Sequence, residues 1–236
     1  CDRMAEKASA AGVQPINQFR TVYSGMELEP FLNVPASGRQ EALQRKEEHG
    51  FEPDTFVFGK IARLFHLKGH QDCLTAFERV VSEYPRARLL LVGDGILREE
   101  LEDRVREANL EDKVVFTGLV PYHRIPDMLT AMDCLVHFSF REGLARVIPQ
   151  AQAAGRPAIS YAIDGAPEAI DHRETGMLVK PHDVAGMENA MIEVMTDSQL
   201  RESMVERARS WVEPRFHWMH MAESIMKSYL ELPGIT

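Results

Sequence analysis

From Thr55 onward the chain alternates between short apolar runs and amphipathic stretches of helical period. Thr55 to Ile61 is mostly apolar and scarcely alternates, the pattern of a strand covered on both faces. Gln71 to Tyr84 follows with Leu74, Phe77, Val80, Val81 and Tyr84 on one helical stripe. Arg88 to Val92 reads as a second strand, and Leu97, Leu101, Val105 and Ala108 mark the next helix. Lys113 to Phe116 is a third strand, Ile125 to Ala131 a helix and Cys134 to Phe138 a fourth strand. Leu144 to Ala154 reads as a helix, Pro157 to Ser160 as a short strand, Ala166 to Ile170 as a helical turn and Gly176 to Val179 as a last strand. Strands of roughly four to seven residues between helices of about ten to fourteen predict an α/β fold, a parallel sheet with helices on both faces. Right-handed crossovers then place ligands at the carboxyl ends of the strands.

The flanks read differently. Residues 1 to about 12 look helical, ending near Gly12, and Val13 to Pro53 is a broken stretch with the character of a connector. Within it Val22 to Gly25 predicts a short strand and Arg39 to Glu48 a short polar helix. After the last strand, helices are expected over Val184 to Met195 and Leu200 to Trp211. A break at Pro214 then precedes a terminal helix from about Trp218 to Leu230. The start is charged and Ala-rich, unlike a signal peptide, and lacks Met, so the chain reads as a piece of something longer. No window approaches a membrane span. A net charge of −9 gives no general attraction to nucleic acid or anionic lipid, so any phosphate needs a local basic pocket. Three scattered cysteines carry no metal or redox spacing and suit a reducing, cytoplasmic compartment.

Four loops fall at the expected ligand edge. Gly59 to His70 follows the first strand, and its Arg63 and Lys68, with glycines and a helix start, fit a diphosphate cradle or, equally, a solvated basic loop. The Walker pattern is absent. Gly93-Asp94-Gly95 and Gly118 follow the second and third strands; Asp94 is best read as a helix cap, and Gly118 would let a base lie against the backbone of Leu119 and Val120. Ser139 to Leu144 follows the fourth strand and carries Glu142, with Gln150 eight residues on; a carboxylate and an amide suit sugar hydroxyls, although a helix-start carboxylate is the plainer account of Glu142. Asp164 to Glu168 follows the fifth strand, with Glu168 a capping candidate. The histidines show no metal-ligand spacing, and no Gly-x-Ser-x-Gly elbow is present.

In order and spacing these loops resemble the C-terminal, nucleotide-sugar-binding half of retaining glycosyltransferases of the GT-B fold, family 4 or group 1. The resemblance runs from about Tyr23 to the end. It is carried by Gly25 to Phe31 (Gly-x-Asp/Glu-x-x-x-Phe), Arg63-x-x-x-x-Lys68-Gly69, Val92 to Gly95, Phe116-x-Gly118, Ser139-x-x-Glu142-Gly143, Ala153-x-Gly155-x-Pro157, Gly165-x-x-Glu168 and Gly176 to Val179. It implies a Rossmann-like domain over 54–212, a connector over 13–53, a crossover helix over 213–236 and, in residues 1–12, the last helix of an acceptor-binding domain otherwise absent. The apolar face of the terminal helix (Trp218, Met221, Ile225, Met226, Tyr229) would pack on that domain, and any peripheral membrane contact would belong to it.

By the same resemblance Arg63, Lys68 and Glu142 form the catalytic set. The two cations hold the donor diphosphate and neutralise the leaving group, while Glu142 faces the donor sugar. Gly59, Gly93, Gly118, Leu119, Val120, Gly143, Leu144 and Gln150 would line the nucleotide sugar, a UDP-, GDP- or ADP-sugar, with no metal and no further cofactor. Where the family carries a second glutamate, this chain has Gln150, an amide without the carboxylate's charge. That leaves open a degenerate domain serving assembly, and a sugar-nucleotide epimerase shares the plan. The isolated chain is expected to bind donor weakly and transfer almost nothing.

Overall fold

A computed structural model describes residues 1–231; the last five residues of the expected crossover segment lie outside the described residues. Six strands form one sheet: β1 (Phe56–Ile61), β2 (Ala87–Val92), β3 (Val114–Gly118), β4 (Cys134–His137), β5 (Ala158–Tyr161) and β6 (Gly176–Val179). Their order is β3-β2-β1-β4-β5-β6, and every neighbouring pair is parallel. The order reverses between β1 and β4, so their carboxyl ends diverge and leave a crevice where such folds bind ligands.

The helices in chain order are α1 (Asp2–Ala10), α2 (Glu29–Leu32), α3 (Gln40–Glu48), α4 (His70–Glu83), α5 (Arg98–Glu107), α6 (Ile125–Ala131), α7 (Val147–Ala153), α8 (Ala166–Ala169), α9 (Val184–Thr196), α10 (Ser198–Phe216) and α11 (Trp218–Leu230). Two buried clusters cover the two faces of the sheet. One joins Phe58, Leu89, Leu91 and Val136 to Leu74, Phe77 and Val80 of α4 and to Met187 and Met191 of α9. The other joins Val57, Leu90 and Leu135 to Leu129 of α6, Ile148 and Ala151 of α7, and Phe216. The doubly covered strands are therefore almost continuously apolar, as the sequence predicts.

Three expectations are corrected. Val22 to Gly25 forms no strand; the backbone contact falls one residue later, where Met26 N donates to Phe216 O at 2.9 Å and Trp218 N donates to Met26 O at 3.1 Å. Gly25 stands so close to α11 that a Cβ there would come within 2.6 Å of the Trp218 Cα. Pro214 does not break the chain but lies inside α10. Proline has no N–H to donate to the carbonyl of Ser210, four residues back, and that residue lies on an exposed turn. The helix ends instead at the extended residue His217, whose Nε2 lies 3.0 Å from Glu29 Oε1 and whose Nδ1 accepts from Met219 N. Finally, the helix expected from Leu144 begins only at Val147, which lengthens the loop after β4.

α11 buries no residue, and Trp218, Ile225, Met226 and Tyr229 stand exposed along it. No helix among the described residues is long and apolar enough to cross a membrane.

Candidate functional site

The crevice at the reversal of strand order is a concavity of about 340 Å³ lined by Ile61, Ala62, Arg63, Lys68, His137, Glu142, Leu144, Ala145, Arg146 and Val147. Arg63, Lys68 and Glu142 thus meet at one edge of the sheet. The chain reaches this geometry through Gly69, which adopts φ +63° and lies so close to β4 that a Cβ would run into the Phe138 carbonyl. Only glycine fits that approach, and it brings Lys68 beside the loop after β4. Phe140 N donates to Leu67 O at 2.9 Å, which joins the two loops directly.

Arg63 is set from beneath. His70 is buried, and its Nε2 lies 2.9 Å from the Arg63 carbonyl, so that nitrogen carries the proton and donates. Burial, with Lys60 nearby, drives the His70 imidazole down to about 3, and the ring is neutral at any ordinary pH. The Arg63 guanidinium lies 5.0 Å from the Phe65 ring centroid.

Glu142 is held through one oxygen. Its Oε1 pairs with Lys68 Nζ, accepts from Ser139 Oγ at 3.1 Å and lies 3.5 Å from His137 Nε2. Oε2 has no hydrogen-bond partner among the described residues, so one acceptor oxygen stays available at the crevice. Burial pushes the carboxyl up, but hydrogen bonds and charge from His137 and Lys68 outweigh it and hold the group at about 2. Burial keeps His137 below the ordinary histidine range, against the opposing pull of the Glu142 carboxylate. The Glu142 backbone N donates to Asp164 Oδ2 at 2.8 Å.

The remaining expected residues sort into three groups. Leu144 lines the concavity, and Gly143 precedes it with open space where a Cβ would stand. Gly93 and Gly118 meet at the neighbouring strand ends, where Gly93 N donates to Gly118 O at 3.0 Å; Leu119 beyond them is exposed and Val120 packs on the core. Gln150 is buried on α7, and its Nε2 donates to Tyr122 Oη at 3.4 Å, which joins it to the loop carrying Leu119 and Val120 rather than to Glu142. Gly59 leaves the set. It sits within β1 against the Met132 side chain, where a Cβ would collide, and its smallness serves packing of the sheet, not a ligand.

Three lining or supporting residues were not singled out by spacing: Arg146, His137 and, beneath them, Lys60. The Lys60 Nζ is fully buried without a hydrogen-bond partner, 5.7 Å from the Phe138 ring centroid. Burial lowers its ammonium to about 8. A polar residue in the second-to-last position of an otherwise apolar strand was the available signal for Lys60, and the last position of β4 carried the same signal for His137.

Chemically, the crevice offers two arginines and a lysine beside an ionised carboxylate with one free oxygen. The cations suit a diphosphate and the carboxylate suits hydroxyl donors. The profile of the family described as "Glycosyl transferases group 1" matches residues 42–211. N-acetyl-alpha-D-glucosaminyl L-malate synthase of Bacillus anthracis is 30% identical over 217 residues, covering 92% of this chain and 54% of that protein. A GDP-mannose-dependent alpha-(1-6)-phosphatidylinositol monomannoside mannosyltransferase of Mycobacterium tuberculosis is 28% identical, with 92% of this chain and 57% of that protein covered. The chain therefore spans about half the length of the curated relatives it matches. Among solved structures, HepE of Anabaena superposes with a TM-score of 0.85 at 22% identity over 96% of this chain and 61% of its own. The C-terminal domain of a glycosyl transferase group 1 family protein from Francisella tularensis superposes with a TM-score of 0.72 at 24% identity, over 82% of this chain and 99% of that domain. With its profile match over most of the chain and its sheet built as one Rossmann-like half of a GT-B fold, this chain belongs to the glycosyl transferases group 1 family.

Proposed function

We propose that this chain is the donor-binding half of a glycosyltransferase that moves a sugar from a nucleotide sugar to an acceptor hydroxyl with retention of configuration. The observation that carries the reading is the convergence of Arg63, Lys68 and Glu142 on one crevice at the carboxyl ends of β1 and β4. Two facts about relatives support it: HepE has been solved with UDP-glucose and with UDP, and the Bacillus anthracis relative is named for a glucosaminyl product.

Arg63 and Lys68 take the diphosphate. They stabilise the negative charge that grows on it as the sugar departs, an electrostatic contribution strongest in a site partly shielded from water. A diphosphate entering the crevice competes with Glu142 for Lys68 and frees the carboxylate toward sugar hydroxyls. The backbone of Gly143 and Leu144 presents N–H groups beside it, and Gly118, Leu119 and Val120 border the base. Gln150 with Tyr122 Oη supplies a neutral hydrogen-bonding pair where a second carboxylate would otherwise take ribose hydroxyls. Retention follows from same-face attack, with a leaving-group phosphate oxygen accepting the acceptor's proton. The acceptor-binding side belongs to a second domain of the longer relatives' plan. Buried thiols at Cys73 and Cys134 suit a reducing, cytoplasmic setting.

Calorimetric titration with UDP, GDP and ADP tests the reading. One of them binds, and Lys68→Ala weakens it by about 1–3 kcal/mol, the size of a lost charge-assisted hydrogen bond. No binding by any of the three to the folded protein, or binding indifferent to Lys68, overturns it.

A further inference from the structure

The loop that presents Glu142 is held from a direction the donor chemistry does not require. Asp164 has φ +48°, in the left-handed region that glycine enters freely and aspartate more readily than most residues, though at some cost. Its side chain is only 4% exposed, and the carboxylate is shared. Oδ2 accepts the Glu142 backbone N–H at 2.8 Å, and Oδ1 pairs with Lys7 Nζ of α1. The next residue repeats the link, with Gly165 N donating to Gly143 O at 2.8 Å. A residue that keeps an unfavourable backbone while its buried carboxylate serves two elements points to a task for that carboxylate.

The other partner is α1, which buries no residue at all. It is seated by polar contacts. Glu168 accepts from Asp2 N at 2.8 Å and Arg3 N at 2.9 Å, so a carboxylate from the far end of the chain caps this helix and complements its dipole. Lys7 adds the ion pair one turn and a half further along. An element with no fully buried residue, held by the Glu168 cap, an exposed lysine and a weak contact of Cys1 Sγ with Gly143 O at 3.6 Å, opens at low free energy. Its seating is the weakest joint in the line from α1 through Asp164 to Glu142.

We propose that Asp164 is a positioning residue for Glu142 and that Lys7, by neutralising and orienting the Asp164 carboxylate, makes the seating of α1 a determinant of donor-sugar binding. The role toward the sugar rests on the donor-site reading above. When α1 is seated, Asp164 fixes the Glu142 amide and with it the free carboxylate oxygen. When α1 leaves, Asp164 loses its ion-pair partner and the loop loosens. Arg63 and Lys68, which take the diphosphate, sit on the loop after β1, to which Asp164 makes no hydrogen bond among the described residues.

Two variants of the 236-residue chain test this: Lys7→Met, on the exposed face of α1, and Asp164→Gly, which suits φ +48° and so removes the carboxylate while relieving strain. Amide hydrogen exchange of the protein alone is followed over the segment 139–146, and binding of UDP-glucose and of UDP is measured by calorimetry, with GDP-mannose and GDP in parallel. Both variants are expected to exchange about tenfold faster at that segment, equivalent to a ~1.4 kcal/mol easier opening. Both are expected to bind the nucleotide sugar about three- to tenfold more weakly while holding the bare diphosphate within about twofold. Unchanged exchange in both variants overturns the proposal, as does equal weakening of sugar nucleotide and bare nucleotide. Lys68→Ala separates the two readings, because it weakens both ligands if the donor site is correct. Failure of the wild type to bind any of these ligands overturns the donor reading and Asp164's role toward the sugar with it.

Discussion

Two lysine–carboxylate pairs stand at opposite edges of the same sheet, and they are built to opposite standards. At the amino-terminal edge Lys46 and Asp133 are closed off, with side chains 4% and 6% exposed. Lys46 Nζ donates to Asp133 Oδ2 at 2.7 Å and to Thr55 O at 2.8 Å, while Asp133 also accepts from Val57 N at 2.8 Å and from Ser37 Oγ. This pair ties α3 and the connector to the starts of β1 and β4. At the carboxyl edge Lys68 and Glu142 are 19% and 24% exposed, one carboxylate oxygen lacks a protein partner, and Lys60, His70 and His137 beneath them keep unpartnered nitrogens. Full satisfaction marks a pair that specifies the fold. Incomplete satisfaction at a crevice marks groups whose partners arrive from outside, since orphaned buried polar atoms are costly and otherwise rare.

The contrast can be broken most sharply at the closed pair. Lys46→Ala should cost about 3–5 kcal/mol in chemical denaturation, because it leaves a buried carboxylate uncompensated. A loss under ~1 kcal/mol would show that the closed pair is not structural. Lys60→Met is expected to act in the other direction. The lysine's folded pKa of about 8 lies below its ordinary 10.5, so the unfolded chain binds more protons between those values and wild-type stability rises with pH there. The variant should therefore be more stable than wild type at pH 7 by roughly 1–3 kcal/mol, with the gain fading as pH rises from about 8 toward 10.5. A destabilised variant would place Lys60 with Lys46 instead.

The smallest effect is expected at Glu142. The folded carboxyl titrates at about 2 against an ordinary 4.5, so its stabilising contribution is present above pH 4.5 and is lost as pH falls toward 2. Partial exposure screens it to on the order of 1 kcal/mol. The stability gap between wild type and Glu142→Gln, measured by urea titration from pH 6 downward, should close across that window. A gap that persists below it would mean that the carboxylate's charge is not what the fold uses.

The sheet was legible because each strand is covered on both faces and each helix between strands on one, which forces the two periodicities seen from Thr55 to Val179. Ends were read within a residue or two where a buried run stops abruptly, as at Ile61 and Val179. The start of α7 was misplaced because Leu144 and Ala145 are apolar for the crevice and the core rather than for a helix stripe. Pro214 misled because a proline's cost depends on whether the carbonyl it strands faces water, which sequence does not show. Met26 with His217, and Lys7 with Asp164, pair across most of the chain's length, so local pattern carries no trace of them. The convergence of Arg63, Lys68 and Glu142 followed from topology: the strand ends on either side of the reversal must face one crevice. What topology left out was the tier beneath, where His70 and His137 look like ordinary core histidines until their ring nitrogens are traced.

The hold of Glu142 on Lys68 also sets what the crevice rejects. A small anion such as inorganic phosphate, plentiful in any cell, finds the lysine already neutralised and must displace a carboxylate that accepts from Ser139 and whose backbone N–H is tied to Asp164. A lone phosphate that gains only Lys68 has little to offer in exchange. A longer ligand that reaches Arg63 at the same time, and returns hydroxyls to the displaced carboxylate, recovers what it disrupts. The internal ion pair thus works as a sieve for ligand length, favouring molecules that carry both the acid and the sugar over fragments that carry one.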